Sequence, residues 1–286
     1  MKFMKISTDK GKRVKKNYAV ETGFFEDGIP YARIGNNHKV VVNIQALSFK
    51  HEPPSGFELK QFTKSVRPFI EKYNFYLVGR KQNLPENYLF DKMAEDCAKM
   101  IRREFKEPVD VMGVSTGGQL VQYLAADHPD TVRKLVIISA AYRLSEKGVE
   151  IERKTAEYFT QGKYGKAFAT ILDLVWEKKI LRAIAKFFTR LVGKRMLGEI
   201  KYPNDFLNEI QADREMNFKE RLKEIKAETL VLCGELDIAY SAEDVRVTAE
   251  GIPNSKLILY KGYGHNLIMR NRKQVYKDIL EFLNDE

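Results

Sequence analysis

The chain is poor in the residues that most often build metal centres and disulfide scaffolds. Its 286 residues include two cysteines, four histidines and one tryptophan. Cys97 falls on a helical pattern and Cys233 on a strand pattern, so both fit reduced core residues rather than a disulfide or metal pair. No histidine stands at ligand spacing from a second ligand; neither a metal nor another cofactor is expected. No run of about 20 uncharged apolar residues occurs, which argues against a membrane-spanning helix. The first seventeen residues, MKFMKISTDKGKRVKKN, are basic but lack the apolar stretch of a secretory signal. These absences point to a cytoplasmic protein. No internal repeat or low-complexity segment is visible.

Charge is abundant but mixed. Lys and Arg number 49 against 39 Asp and Glu, a net charge of +10. The basic residues are interspersed with Glu along most helical stretches and no nucleic-acid motif appears. A solvated Lys-rich surface is the reading, with no nucleic-acid partner. A hydrophobic content of 44% is enough for one large core or two modest ones.

The order of elements is legible from periodicity. Tyr18 to Phe25 and Pro30 to Gly35 flank Glu26-Asp27-Gly28, a good hairpin turn. Val40 to Ile44 reads as a central strand, residues 56–73 as a helix, and Phe75 to Gly79 as the next strand. Leu89, Met93, Cys97, Met100 and Ile101 recur at helical spacing. Val109 to Met112 and Lys134 to Ser139 are further apolar strands. Strands alternating with helices predict a mostly parallel sheet covered on both faces. From about Arg143 to Leu222 the pattern is helical throughout, and strands resume at Thr229.

Within that frame, Gly113-Val114-Ser115-Thr116-Gly117 stands between a short apolar strand and the helical LVQYLAADHP. The string is weak evidence alone, but its strand-to-helix setting suits a serine held at a sharp corner, with glycines where a side chain would collide. Asp237 follows the apolar strand in TLVLCGELD, and His265 follows the one in KLILYKGYGH. The order Ser, acid, His resembles that of the α/β-hydrolases, in particular the capped esterase, lipase and peroxidase-like group. The resemblance runs from about residue 18 to 284 and is tightest over 85–142 and 218–284. It implies an α/β-hydrolase core of residues 1–142 and 223–286, with an all-helical cap, residues 143–222, inserted after the sixth strand.

The implied chemistry needs these residue types. A serine hydroxyl is a poor nucleophile without a base, and neutral imidazole serves near pH 7. Ser115 would attack, His265 would carry the proton, and Asp237 would orient the ring. Glu235 is the alternative acid, though Gly234-Glu235-Leu236-Asp237 has the family's spacing. Of the other histidines, His128 precedes Pro129 at a helix end, and His38 and His51 fall in polar loops. The oxyanion donors would be the backbone N–H groups of Thr116 and, by position, Leu47, with Ala46 second. There the chain departs from the family. Gln45-Ala46-Leu47 replaces the usual His-Gly pair and donor, and Gly79-Arg80-Lys81-Gln82 replaces Asp-x-Arg-Gly-x-Gly. Gln45 either points its amide into the site or bonds the loop backbone.

Residues 163–201 hold ten basic and three acidic side chains around an apolar set. Trp176, Phe187 and Phe188 are candidates for a pocket wall. Contact with a membrane through this basic cap is a lesser alternative to ordinary packing. The function implied is a serine esterase acting on a small-molecule acyl substrate through an acyl-enzyme. The alternatives are thioester, lactone or carbon–carbon hydrolysis, acyl transfer, or a non-hydrolytic ligand- or lipid-binding protein on the same fold.

Overall fold

A computed structural model describes residues 18–175, 183, 186, 187, 189 and 198–285. One eight-stranded sheet runs through it in the order β1-β2-β4-β3-β5-β6-β7-β8. Strands β1 (Val20–Phe24) and β2 (Pro30–Ile34) form an antiparallel hairpin, and β2 pairs antiparallel with β4 (Asn74–Val78). The remaining strands, β3 (Val40–Ile44), β5 (Val109–Val114), β6 (Val132–Ile138), β7 (Glu228–Gly234) and β8 (Ser255–Tyr260), extend the sheet in parallel pairings.

The central strands β5, β6 and β7 read as mostly apolar runs because both faces are buried. Side chains alternate across a strand. On β6, Leu135 and Ile137 face one core while Val136 and Ile138 face the other. The first core contains residues of α2 (Phe90–Phe105), α3 (Thr116–Asp127) and α7 (Ala242–Gly251). The second contains residues of α1 (Gly56–Ser65) and α8 (Leu267–Asn284). Both cysteines are buried and free.

The helix expected over residues 56–73 stops at Ser65. Pro68 explains the difference: it lacks the N–H that would reach back one turn, and it disfavours helical backbone at Arg67. The chain tightens into turns there, with Phe69 N–H donating to the Val66 carbonyl at 2.9 Å.

Between β6 and β7 lie α4 (Glu146–Thr160), α5 (Tyr164–Val175), α6 (Pro203–Glu215) and a 3-10 turn (Lys219–Glu224), with no strand among the described residues. This insertion has its own small core of Phe159, Ala167, Phe206 and Ile210. Leu47 and Phe49, from the loop after β3, pack against it. The insertion is thus joined to the sheet at the loop beside Ser115. None of the described helices is long and apolar enough to cross a membrane.

Candidate active site

The C-terminal end of β5 meets α3 at Ser115, whose backbone sits at φ 55° and ψ −126°. A non-glycine residue there is strained by roughly 1–3 kcal/mol. The close packing around it holds the strain. A Cβ on Gly113 would lie 2.2 Å from the Gly117 carbonyl oxygen. One on Gly117 would lie 2.4 Å from the Ile44 oxygen and 2.6 Å from that of Gln45. The corner is therefore pressed against the end of β3, and only glycine fits on its inner side.

Three loops at the same edge of the sheet bring the sequence-selected groups together. Ser115 Oγ is 3.0 Å from His265 Nε2. His265 Nδ1 is 2.9 Å from Asp237 Oδ2 and 3.2 Å from Oδ1. The Asp237 carboxylate is itself seated by donors: Oδ1 accepts from the N–H groups of Ala239 at 2.9 Å and Tyr240 at 3.2 Å. The Cys233 thiol faces Oδ2 at 3.6 Å. Burial alone would push His265 below its ordinary pKa; the adjacent Asp237 carboxylate, with Asp213 further off, outweighs it and holds the imidazole above. Glu235 bonds through its backbone N–H to the Tyr260 carbonyl, whereas the imidazole meets Asp237.

The Thr116 N–H opens α3 and is one of the donors a helix leaves unpaired at its N-terminus. Leu47 is half-buried beneath the insertion. Gln45 is half-buried as well; its Oε1 lies 3.5 Å from where a Cβ on Gly79 would stand, and its N–H donates to the Val78 carbonyl at 2.9 Å. Its side chain thus lies along the end of β4. Phe187 is 61% exposed, and Trp176 and Phe188 lie outside the described residues.

Sequence reasoning missed a layer of buried polar groups above this corner. His51, expected in a polar loop, is buried. Its Nε2 stands 2.5 Å from Glu209 Oε1, and its Nδ1 donates to the Lys81 carbonyl at 2.6 Å. Arg80 is buried too; it pairs with Glu209 at 3.1 Å and donates to the Ala46 carbonyl at 3.1 Å. The loop that lacks the family's glycine is therefore held by a guanidinium. Asp205 caps another loop, accepting from the N–H groups of Asn83 at 3.1 Å and Leu84 at 2.8 Å. Asp213 accepts from the Thr116 hydroxyl at 2.6 Å. The only sequence signal was the spacing of Asp205, Glu209 and Asp213, four residues apart on one helix face. No group of three or more His, Cys, Asp or Glu suited to a metal occurs among the described residues.

Comparison with known proteins agrees with this architecture. The family model described as alpha/beta hydrolase fold matches residues 77–271. A bifunctional esterase/perhydrolase of Acinetobacter calcoaceticus is 27% identical over 225 residues, covering 72% of this chain and 78% of that protein. The AB hydrolase superfamily protein YisY of Bacillus subtilis is 25% identical over 239 residues, covering 80% of each. Among solved structures, an enol-lactonase from Burkholderia xenovorans superposes with a TM-score of 0.72 at 17% identity, covering 90% of this chain and 96% of its own. With the family model spanning more than half its length, the chain belongs to the α/β-hydrolase fold family.

Proposed function

We propose that this hydrolase is a serine esterase that cleaves small carboxylic esters or related acyl substrates through an acyl-enzyme. The observation that carries the reading is the unbroken line from Ser115 Oγ to His265 at 3.0 Å and from His265 to Asp237 at 2.9 Å. His265 Nε2 accepts the serine proton as Oγ attacks the carbonyl carbon. The resulting imidazolium is stabilised by Asp237, and the oxyanion takes hydrogen bonds from the Thr116 and Leu47 N–H groups. The imidazolium then protonates the departing alcohol. Water attacks the acyl-enzyme with His265 again as base, and the carboxylic acid leaves. No step calls for a cofactor. Residues 143–222 serve as a cap over Ser115, with Gln45 at the rim of the site.

The esterase/perhydrolase among the relatives supports an ester substrate. A chain-length series of p-nitrophenyl esters tests the reading. Turnover is expected in the parent, and Ser115→Ala is expected to lose up to about 10⁶ in kcat. A folded parent that turns over none of the series would instead favour a ligand-binding role for the same site.

A further inference from the structure

Helix α6 lays three acids in a row toward the protein interior. Asp205, Glu209 and Asp213 are all buried. The first two have partners suited to charge: backbone N–H groups for Asp205, and Arg80 with His51 for Glu209. Asp213 does not. Its Oδ2 takes the Thr116 hydroxyl at 2.6 Å, and its Oδ1 has no partner. Facing it from α4 is a second buried carboxyl, Glu152, within hydrogen-bond reach. Two carboxyls in such contact must share a proton. On the other side, the buried Tyr240 hydroxyl faces Ser115 without an aligned hydrogen bond, and both ends of the buried Gln119 amide are unpartnered.

Such a group is costly to bury, and an apolar side chain would fill the space without that cost. What Asp213 does touch is informative. Thr116 is the residue whose N–H opens α3 beside the nucleophile. We propose that Asp213, with Glu152 as its proton-sharing partner, is a positioning residue for the esterase chemistry. It fixes the Thr116 corner through the hydroxyl and sets a buried negative charge within electrostatic reach of the His265 imidazole. The inference rests on the serine-hydrolase reading, which supplies the roles of Thr116 and His265.

The charge is variable, which makes it detectable. Burial pushes the Asp213 carboxyl up to about 7 against the hydrogen bonds from Thr116 and Glu152, with Glu209 adding to the rise and Arg80 opposing it; burial and Asp213 push Glu152 well above its ordinary value. The other groups facing the pair are Arg214 on α6, which acts on Glu152, Tyr240, and His265 with its partner Asp237. The Asp213 anion, once formed, favours the imidazolium of His265.

The test is a histidine-ring NMR titration of the full chain, which needs no turnover, paired with the pH profile of kcat/KM on a p-nitrophenyl ester. Asp213→Asn keeps an acceptor for the Thr116 hydroxyl and removes the charge. It is expected to lower the His265 midpoint and the acid limb of the profile by roughly half a pH unit, and to leave a single-proton curve where the parent is broadened. Thr116→Val is expected to lower kcat about tenfold with KM little changed, and Thr116→Ser to restore it. An unmoved His265 midpoint in a folded Asn variant overturns the electrostatic part. Parent-like kcat in Thr116→Val overturns the positioning part. If the parent turns over no ester, the hydrolase reading fails separately while the titration still decides whether the charge is coupled.

Discussion

Two carboxyl groups flank the Ser115 corner, and they are held in opposite ways. Asp237 leaves the end of β7 and is met by two backbone N–H groups, a thiol and the His265 ring. Asp213 comes from the helical insertion and is met by one hydroxyl and another carboxyl. Both are buried. Burial depth therefore does not decide how an acid behaves; the donors around it do. Where donors are many, the carboxylate is fixed in place to orient an imidazole. Where they are few, the carboxyl holds its proton towards neutrality and responds to small changes of pH.

The sharpest way to break this comparison is to remove the charge on the donor-rich side. Asp237→Asn preserves shape but favours the wrong ring tautomer of His265, and a fall in kcat of about 10⁴ is expected. In ester hydrolysis by the parent, kcat/KM should decline as pH falls through a value above 6.5, because the imidazole must be neutral to act as base and Asp237 holds it above that ordinary value. A limb below 6.5 would mean that burial outweighs the carboxylate.

Glu209, the neighbouring acid on the same helix face, is probed next through its cation. Arg80→Ala leaves Glu209 buried without its guanidinium and frees the Ala46 carbonyl. A loss of about 3–5 kcal/mol is expected, seen as a fall in Tm on the order of 10 °C, with weaker catalysis from a loosened loop. Parent-like melting would show that the ion pair is solvated in solution.

The smallest effect has an unusual sign. The folded state raises the Asp213 pKa above its unfolded value, so folding binds a proton that the unfolded chain has released. That contribution is fully present below about pH 4 and is lost as pH rises through about 7. Asp213→Asn is spared the loss. At pH 8 it is expected to melt no lower than the parent, with a gain of a few degrees by calorimetry. A lower Tm at pH 8 would place Asp213 among ordinary structural acids.

The same contrast explains what the sequence could reveal. Ser115, Asp237 and His265 each follow an apolar strand, and the strand ends of an open sheet lie along one edge, so their meeting is visible in a linear pattern. The glycines at 113 and 117 add a steric signature that few other arrangements need. The sheet itself was legible for a related reason: strands buried on both faces read as unbroken apolar runs. Asp205, Glu209 and Asp213 carry no comparable mark, because acids four residues apart are also what a solvated helix face looks like. Their burial depends on contacts with α4, with the loop after β4 and with α3, none of which a local period encodes. His51 lies in a loop, as expected, but its burial was not legible for the same reason, since its partners come from Lys81 and Glu209, far along the chain. Arg80 was noticed only as a departure from the family's loop, although it is the group that holds that loop.

The central claim is that Ser115 is an activated nucleophile served by His265. Intact-mass analysis after incubation with a fluorophosphonate tests it most directly. One adduct per chain is expected, mapped to Ser115 and absent from Ser115→Ala, with a rate that falls as His265 is protonated. A folded parent that stays unmodified, or an adduct on another residue, would contradict the account.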